Sequence, residues 1–135
     1  MPPVPQLECV MESSLYVTDL KRAVAFYRDV LDLRVMGEFD EQRGAALAVG
    51  PTVLLLFRAE ETLKEGVLPS HGAQGTGHVA FRVQPEDLPG WRRRLEERGV
   101  QIEKEFAFGN NPPSIYFRDP DGNVLELAVA SIWPW

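Results

Sequence analysis

The chain has 135 residues, of which 44% are hydrophobic and 25% charged, and its formal net charge at pH 7 is −6. This length suits one compact domain with a core of its own and leaves no room for a second. The acidic balance argues against a protein that binds nucleic acid or an anionic membrane, because both of these partners attract basic surfaces.

Cysteine usage and apolar runs indicate a compartment. Cys9 is the only cysteine, so no disulfide can form within the chain, which suits the reducing cytoplasm. The first seven residues hold three prolines and no apolar stretch after a basic start, unlike a secretory signal. The longest strongly apolar run, residues 53–57, is far below the roughly 20 residues that cross a bilayer. We therefore expect a cytoplasmic protein.

The first half of the chain predicts a strand, a helix and three further strands. Residues 12–17 alternate polar and apolar side chains, as a half-buried strand does. Apolar residues then recur at helical spacing over 20–31, with Thr18 as the expected N-cap. Strand-like segments follow at 34–41, 45–49 and 52–58, and turn-forming residues separate them.

The same pattern restarts after a polar, glycine-rich connection. A strand is expected at 77–83, a helix at 86–98, and strands at 101–108, 114–118 and 124–129. We therefore predict one α+β domain over 1–135, made of two tandem β-α-β-β-β modules whose curved sheets form a shared cleft. Module one takes about 9–59, the connection about 60–76, module two about 77–130 and a C-terminal tail 131–135.

Strand parity predicts which side chains face the cleft. Apolar residues of the first strand in each module, such as Leu15, Val17 and Phe81, should pack under the helices, which turns their neighbours to the opposite face. The side chains expected at the cleft are Glu12, Ser14, Tyr16, His78, Ala80, Arg82, Ser114, Tyr116, Arg118, Glu126 and Ala128. Parity alone does not bring any of them close enough to share a metal ion, so their proximity has to come from the fold.

Three segments resemble the vicinal oxygen chelate superfamily, which includes glyoxalases, bleomycin resistance proteins and extradiol dioxygenases. They are ESSLYVTDLKRAVAFYRDVLDL at 12–33, GHVAFRV at 77–83 and SIYFRDPDGNVLEL at 114–127. They stand in the order that the superfamily has, and together they span about residues 9–130. The resemblance implies a glyoxalase-like fold.

The resemblance also implies a metal site. Members hold a divalent metal with His or Glu from these strands, which by position gives Glu12, His78 and Glu126. Glu12 stands where many members have His, which favours metals that prefer oxygen ligands and leaves Mn, Fe, Ni and Zn open. The apolar fourth strand, TVLLLF at 52–57, lacks the carboxylate that a glyoxalase I would place there.

Substrate contacts are implied in the same way. Tyr116 matches the substrate-contacting tyrosine of the fosfomycin-resistance enzymes, and Ser14 and Arg82 share the face on which substrate would lie. The leading expectation is a metal-dependent lyase, isomerase, transferase or dioxygenase whose small substrate binds the ion through oxygen atoms. The alternative is a metal-free protein that sequesters a small molecule in the cleft, as bleomycin resistance proteins do.

Some features remain open from the sequence. No general base is identified, and His71 in the connection is expected to be a solvated loop residue outside the site. The resemblance implies a homodimer, with the cleft completed either within one chain or between exchanged modules. The tail SIWPW at 131–135 is expected to pack on a second copy or to cap a cleft, because it would otherwise expose large aromatic side chains.

Overall fold

The two modules each form a four-stranded mixed sheet, as seen in a computed structural model that describes residues 3–135. Module one contains β1 (Glu12–Tyr16), α1 (Leu20–Asp29), β2 (Arg34–Glu38), β3 (Gly44–Val49) and β4 (Thr52–Phe57). After the short helix α2 (Ala59–Thr62), module two contains β5 (His78–Arg82), α3 (Leu88–Glu97), β6 (Lys104–Phe106), β7 (Ser114–Arg118) and β8 (Val124–Ala128). The predicted α+β architecture of two β-α-β-β-β modules is confirmed.

The sheets have equivalent strand orders, β1-β4-β3-β2 and β5-β8-β7-β6. In each module the first and last strands run parallel, and the helix provides the long connection that parallel strands need. β1 pairs only with β4, and β5 pairs only with β8, so β1 and β5 are edge strands of these sheets. Each of these edge strands therefore has a row of backbone N–H and C=O groups that form no hydrogen bonds within its own sheet.

Several predicted boundaries were wrong, for local reasons. α1 ends at Asp29, two residues before the predicted end, and its N-cap is Asp19, whose carboxylate accepts from the Arg22 backbone N–H at 3.1 Å. α3 begins at Leu88, because the preceding residues, Pro85–Asp87, form a 3₁₀ turn. β2 and β6 are also shorter than predicted, and the connection begins with a helical turn that the sequence pattern did not reveal.

The core lies between the sheets and the helices. Leu15, Val17, Phe117 and Leu127 are buried there, as strand parity predicted. The apolar residues of β5 are only partly buried against this core, which differs from the full burial expected of them. Phe26 and Trp91 also pack on it, and Tyr27 is fully buried, as is typical of aromatic residues in the apolar stripe of a helix.

Polar contacts hold the two modules together. The Arg94 guanidinium on α3 donates to the Val30 carbonyl at 2.7 Å and to the Asp29 carbonyl at 3.0 Å, at the C-terminal end of α1. In the turn between β7 and β8, the Asp121 carboxylate accepts from the Thr18 backbone N–H and hydroxyl at 2.9 and 2.7 Å. These bonds fix the end of β1 against the last hairpin. Thr18 therefore holds module two instead of capping α1.

No helix within residues 3–135 is long and apolar enough to cross a membrane. The tail forms a 3₁₀ turn at Ala130–Ile132. The two tryptophans after it, Trp133 and Trp135, are 66% and 91% exposed. The large aromatic surface anticipated at the C-terminus is therefore uncovered in the single chain.

Candidate metal and substrate site

His78 and Glu126 lie side by side on neighbouring strands of module two. β5 and β8 run parallel with Ala80 opposite Glu126 and His78 opposite Val124. The His78 Nδ1 atom is 2.9 Å from the Val124 carbonyl oxygen, and its Nε2 atom is 3.3 Å from Glu126 Oε1. The ring is thus held by the backbone of β8 while its second nitrogen faces the carboxylate.

The hydrogen bond at Nδ1 sets the chemistry of Nε2. A carbonyl oxygen only accepts, so Nδ1 has to carry the proton that it donates to Val124. In the neutral ring Nε2 then keeps its lone pair and points it at the carboxylate, which is also an acceptor. Two acceptors at this distance need a cation between or beside them, either a proton on the ring or a metal ion.

Glu126 has further capacity for a cation. Its residue is only 5% exposed, and its Oε2 atom is buried without any hydrogen-bond partner within residues 3–135. A buried carboxylate oxygen without a partner is costly, because nothing replaces the water that it has lost. His78 and Glu126 would therefore fit a metal ion, with the Val124 carbonyl orienting the histidine and Glu126 supplying a carboxylate ligand.

Tyr116 completes this face of module two. It lies directly opposite Glu126 in the β7–β8 register, and its ring stacks on that of His78 with centroids 6.4 Å apart. Burial raises the pKa of the Tyr116 hydroxyl, and the nearby charge of Glu126 acts in the same direction. A tyrosine hydroxyl is protonated at neutral pH even without this shift, so Tyr116 is able to donate a hydrogen bond.

Glu12 lies on the other module. It is exposed at the start of β1 and lines a cavity of about 870 Å³ on the sheet face of module one, together with Glu38, Leu55 and Phe57. Neither His78 nor Glu126 lines that cavity. Within residues 3–135, no three His, Cys, Asp or Glu side chains gather closely enough to hold a metal. A single chain thus brings two of the three expected ligands together.

Ser14 and Arg82, the other expected substrate contacts, are both exposed on the edge strands. Ser14 lies opposite Leu55 in the β1–β4 register, next to the cavity of module one. Arg82 lines a separate groove of about 430 Å³ with Ser13 and Trp135. Neither side chain forms a hydrogen bond within the described part of the chain, so both are available to a ligand.

His71 has a more definite place than the sequence indicated. Its Nδ1 atom is 2.6 Å from the Tyr16 hydroxyl, its ring meets the Phe57 ring edge-on, and it lines the same cavity as Glu12. His71 is an exposed loop residue, as expected, but its contacts with Tyr16 and Phe57 give its ring a defined position. No periodicity marks the connection, so only the path of the chain over the sheet brings His71 to this surface.

Comparison with known proteins agrees with the fold and the site. The chain is 31% identical to "Metallothiol transferase FosB" of Bacillus licheniformis, over 87% of this chain and 72% of that one. It is 33% identical to "Glutathione transferase FosA" of Serratia marcescens, over 93% and 84%. A crystal structure of lactoylglutathione lyase from Agrobacterium tumefaciens superposes with a TM-score of 0.89 at 32% identity, covering 100% of both chains.

These relatives are named as transferases and as a lyase, which confirms the expectation of a metal-dependent enzyme. The family model described as "Glyoxalase/Bleomycin resistance protein/Dioxygenase superfamily" matches residues 7–127. That match covers both modules and all three expected metal ligands. The chain belongs to the glyoxalase, bleomycin resistance protein and dioxygenase superfamily.

Proposed function

We propose that this protein is a divalent-metal-dependent transferase that joins a thiol to a small substrate bound through its oxygen atoms. The observation that carries the proposal is the pair formed by His78 Nε2 and Glu126 Oε1, 3.3 Å apart, beside the buried and unpartnered Oε2 atom. The thiol comes from the relatives, two of which are named as a metallothiol transferase and a glutathione transferase.

Glu12 would supply the third ligand, from a second copy of the chain. It is exposed on the edge strand β1, and His78 lies on the edge strand β5. In a symmetric dimer, the edge strand β1 of one copy would lie beside the edge strand β5 of the other. The two-fold symmetry would then create this contact at two equivalent places. This arrangement is the exchanged-module alternative, and it is favoured because one chain keeps Glu12 apart from the pair.

Two carboxylates and one imidazole form a ligand set that Mn, Fe, Ni or Zn ions accept. When bound, such an ion would polarise the substrate oxygens as a Lewis acid. The chain's own groups would do the rest: Tyr116 would donate a hydrogen bond to a substrate oxygen, and Ser14 and Arg82 would orient the substrate. A cytoplasmic location would keep both the thiol substrate and the exposed Cys9 reduced.

The test is metal analysis of protein purified without chelator or affinity metal, alongside the variants Glu12→Gln, His78→Ala and Glu126→Gln. We expect about one divalent ion per chain in the wild type and a loss of at least about tenfold in metal affinity in each variant. Glu8→Gln is the matched control, because Glu8 is an exposed carboxylate four residues before Glu12.

Activity of the metal-loaded protein is then measured in two assays, with mass spectrometry of the products. One assay supplies fosfomycin with glutathione or cysteine, and the other follows the formation of lactoylglutathione. A thiol adduct that requires the metal would support the transferase. A protein that stays metal-free after reconstitution with Mn, Fe, Ni and Zn would contradict the proposal.

A further inference from the structure

Tyr16 and His71 form a hydrogen-bonded pair on module one, and the exposed His71 lines the cavity there. The Tyr16 hydroxyl is 2.6 Å from His71 Nδ1, and the His71 ring stands edge-on to Phe57, with centroids 5.0 Å apart and planes at 72°. The His71 backbone N–H donates to the Thr62 carbonyl at 3.0 Å, at the end of α2. Contacts to three separate elements therefore hold this imidazole in one position.

His71 shares its cavity with Glu12, the expected metal ligand of module one. Tyr16 and Glu12 lie on the same face of β1, four residues or about 13 Å apart along the strand. The cavity of about 870 Å³ has both Glu12 and His71 in its wall, together with Leu55, Phe57 and Leu68. One molecule of moderate size, such as a short thiol peptide, is long enough to touch both ends.

The second ring nitrogen of His71 is free to react. Its Nε2 atom forms no hydrogen bond within residues 3–135, whereas Nδ1 is engaged by Tyr16. When Nδ1–H donates to the tyrosine oxygen, Nε2 keeps its lone pair and is able to accept a proton. We propose that His71 is the acid–base residue for the thiol substrate and that Tyr16 is its positioning residue, an assignment that rests on the proposed function above.

The proton balance of this step is simple. The thiol S–H bond breaks, its proton passes to His71 Nε2, and the sulfur keeps the electron pair with which it forms the new bond to a substrate carbon. The substrate C–O bond, or one of the two bonds of a carbonyl, breaks at the same time and leaves its electron pair on oxygen. That oxygen then takes the proton back from Nε2, so His71 ends in its starting form.

Most of the charged side chains that line the cavity with His71 are carboxylates. The charged side chains lining the same wall are Glu12, Glu38, Asp40, Glu41 and Arg43, and the group in direct contact is the neutral Tyr16 hydroxyl.

The first test is NMR of protein labelled with ¹⁵N-histidine, which has only two imidazoles, those of His71 and His78. We expect the Nδ1–H tautomer for His71, and a change in its ring nitrogen chemical shifts in Tyr16→Phe. This readout requires neither metal nor turnover, so it separates a failure of this inference from a failure of the metal site. A His71 ring that is unaffected by Tyr16→Phe would overturn the assignment of Tyr16.

The second test compares kcat/KM across pH for the metal-loaded wild type, His71→Gln and Tyr16→Phe. We expect His71→Gln to lower kcat/KM by about 100-fold or more, to remove the acid limb of the pH profile and to leave metal content unchanged. Tyr16→Phe should cost less, because the imidazole is still present. Gln74→Ala, an exposed site in the same connection, is the control. A His71→Gln protein with full metal and an unchanged pH profile would overturn the proposal.

Discussion

At the scale of single residues, the site depends on which atoms accept hydrogen bonds and which atoms donate them. His78 is anchored at Nδ1 by a backbone carbonyl, so its second nitrogen presents a lone pair to Glu126. Glu126 is buried and has one oxygen without a partner, which few native carboxylates tolerate unless a cation is near. Tyr116 contributes the complementary donor, because a tyrosine hydroxyl is protonated at neutral pH.

Replacing Tyr116 with Phe tests that donor role. The ring and its stacking on His78 should remain, whereas the hydrogen bond to a substrate oxygen is lost. We expect kcat/KM for the substrate that the activity assays identify to fall by about 100-fold, with metal content equal to that of the wild type. A variant that loses its metal instead would show that Tyr116 supports the ligands and not the substrate.

At the scale of secondary-structure elements, the hairpin between β7 and β8 links the modules through a buried carboxylate. Asp119 accepts from the Tyr27 hydroxyl of α1 at 2.7 Å, from the backbone N–H groups of Asp121 and Asn123, and from the Asn123 side-chain amide. Gly122, with φ +85°, closes the turn that brings these donors together. This network sets the hairpin that carries Tyr116 and Glu126.

Tyr27→Phe is predicted to weaken the network in a pH-dependent way. Burial, together with the charge of Asp119, strongly raises the pKa of the Tyr27 hydroxyl in the folded protein. Above its ordinary value of 10.0 the unfolded chain releases this proton while the folded chain keeps it, so the free energy of unfolding falls as pH rises.

We expect Tyr27→Phe to lower the free energy of unfolding by about 2 kcal/mol at pH 7, because a hydrogen bond to a buried charge is lost. Above pH 10 the wild type should lose about 1.4 kcal/mol more per pH unit than the variant. Urea unfolding at pH 7 and pH 11 measures both effects. If the free energy of unfolding falls by the same amount in the wild type and in Tyr27→Phe between pH 7 and pH 11, the assigned role of the Tyr27 hydroxyl is contradicted.

At the scale of the whole molecule, the two modules divide the functional groups between them. Module one carries Glu12, Tyr16 and the cavity that His71 also lines, and module two carries His78, Tyr116 and Glu126. The first strand of each module is an edge strand, and Trp133 and Trp135 add exposed aromatic surface. A dimer that joins module one of each copy to module two of the other would unite the groups in two equivalent sites.

Mixing two inactive variants tests this arrangement. In a dimer of Glu12→Gln with Glu126→Gln, one site carries both changes and the other carries neither. After unfolding and refolding together, half of the dimers should be mixed, so roughly a quarter of the sites should bind metal again. Sites formed within one chain would give no recovery, because every chain would still lack one ligand. Metal analysis and sedimentation of the mixture against each variant alone measure the outcome.

Much of this protein was predictable from its sequence, because strand parity and helix spacing are local properties. They predicted the two modules, the core positions such as Leu15 and Phe117, and the face shared by His78, Tyr116 and Glu126. The superfamily resemblance, which the family model confirms, added the expected ligands.

Only the tertiary structure decided which of these side chains meet. The parallel register of β5 and β8 brings His78 to Glu126 and buries the free carboxylate oxygen, and the fold leaves Glu12 on the other module. The path of the connection carries His71 to Tyr16, 55 positions away in the chain. Such contacts depend on long-range packing, which no local periodicity records, and for this reason the sequence alone indicated the expected ligands but not the contact between Tyr16 and His71.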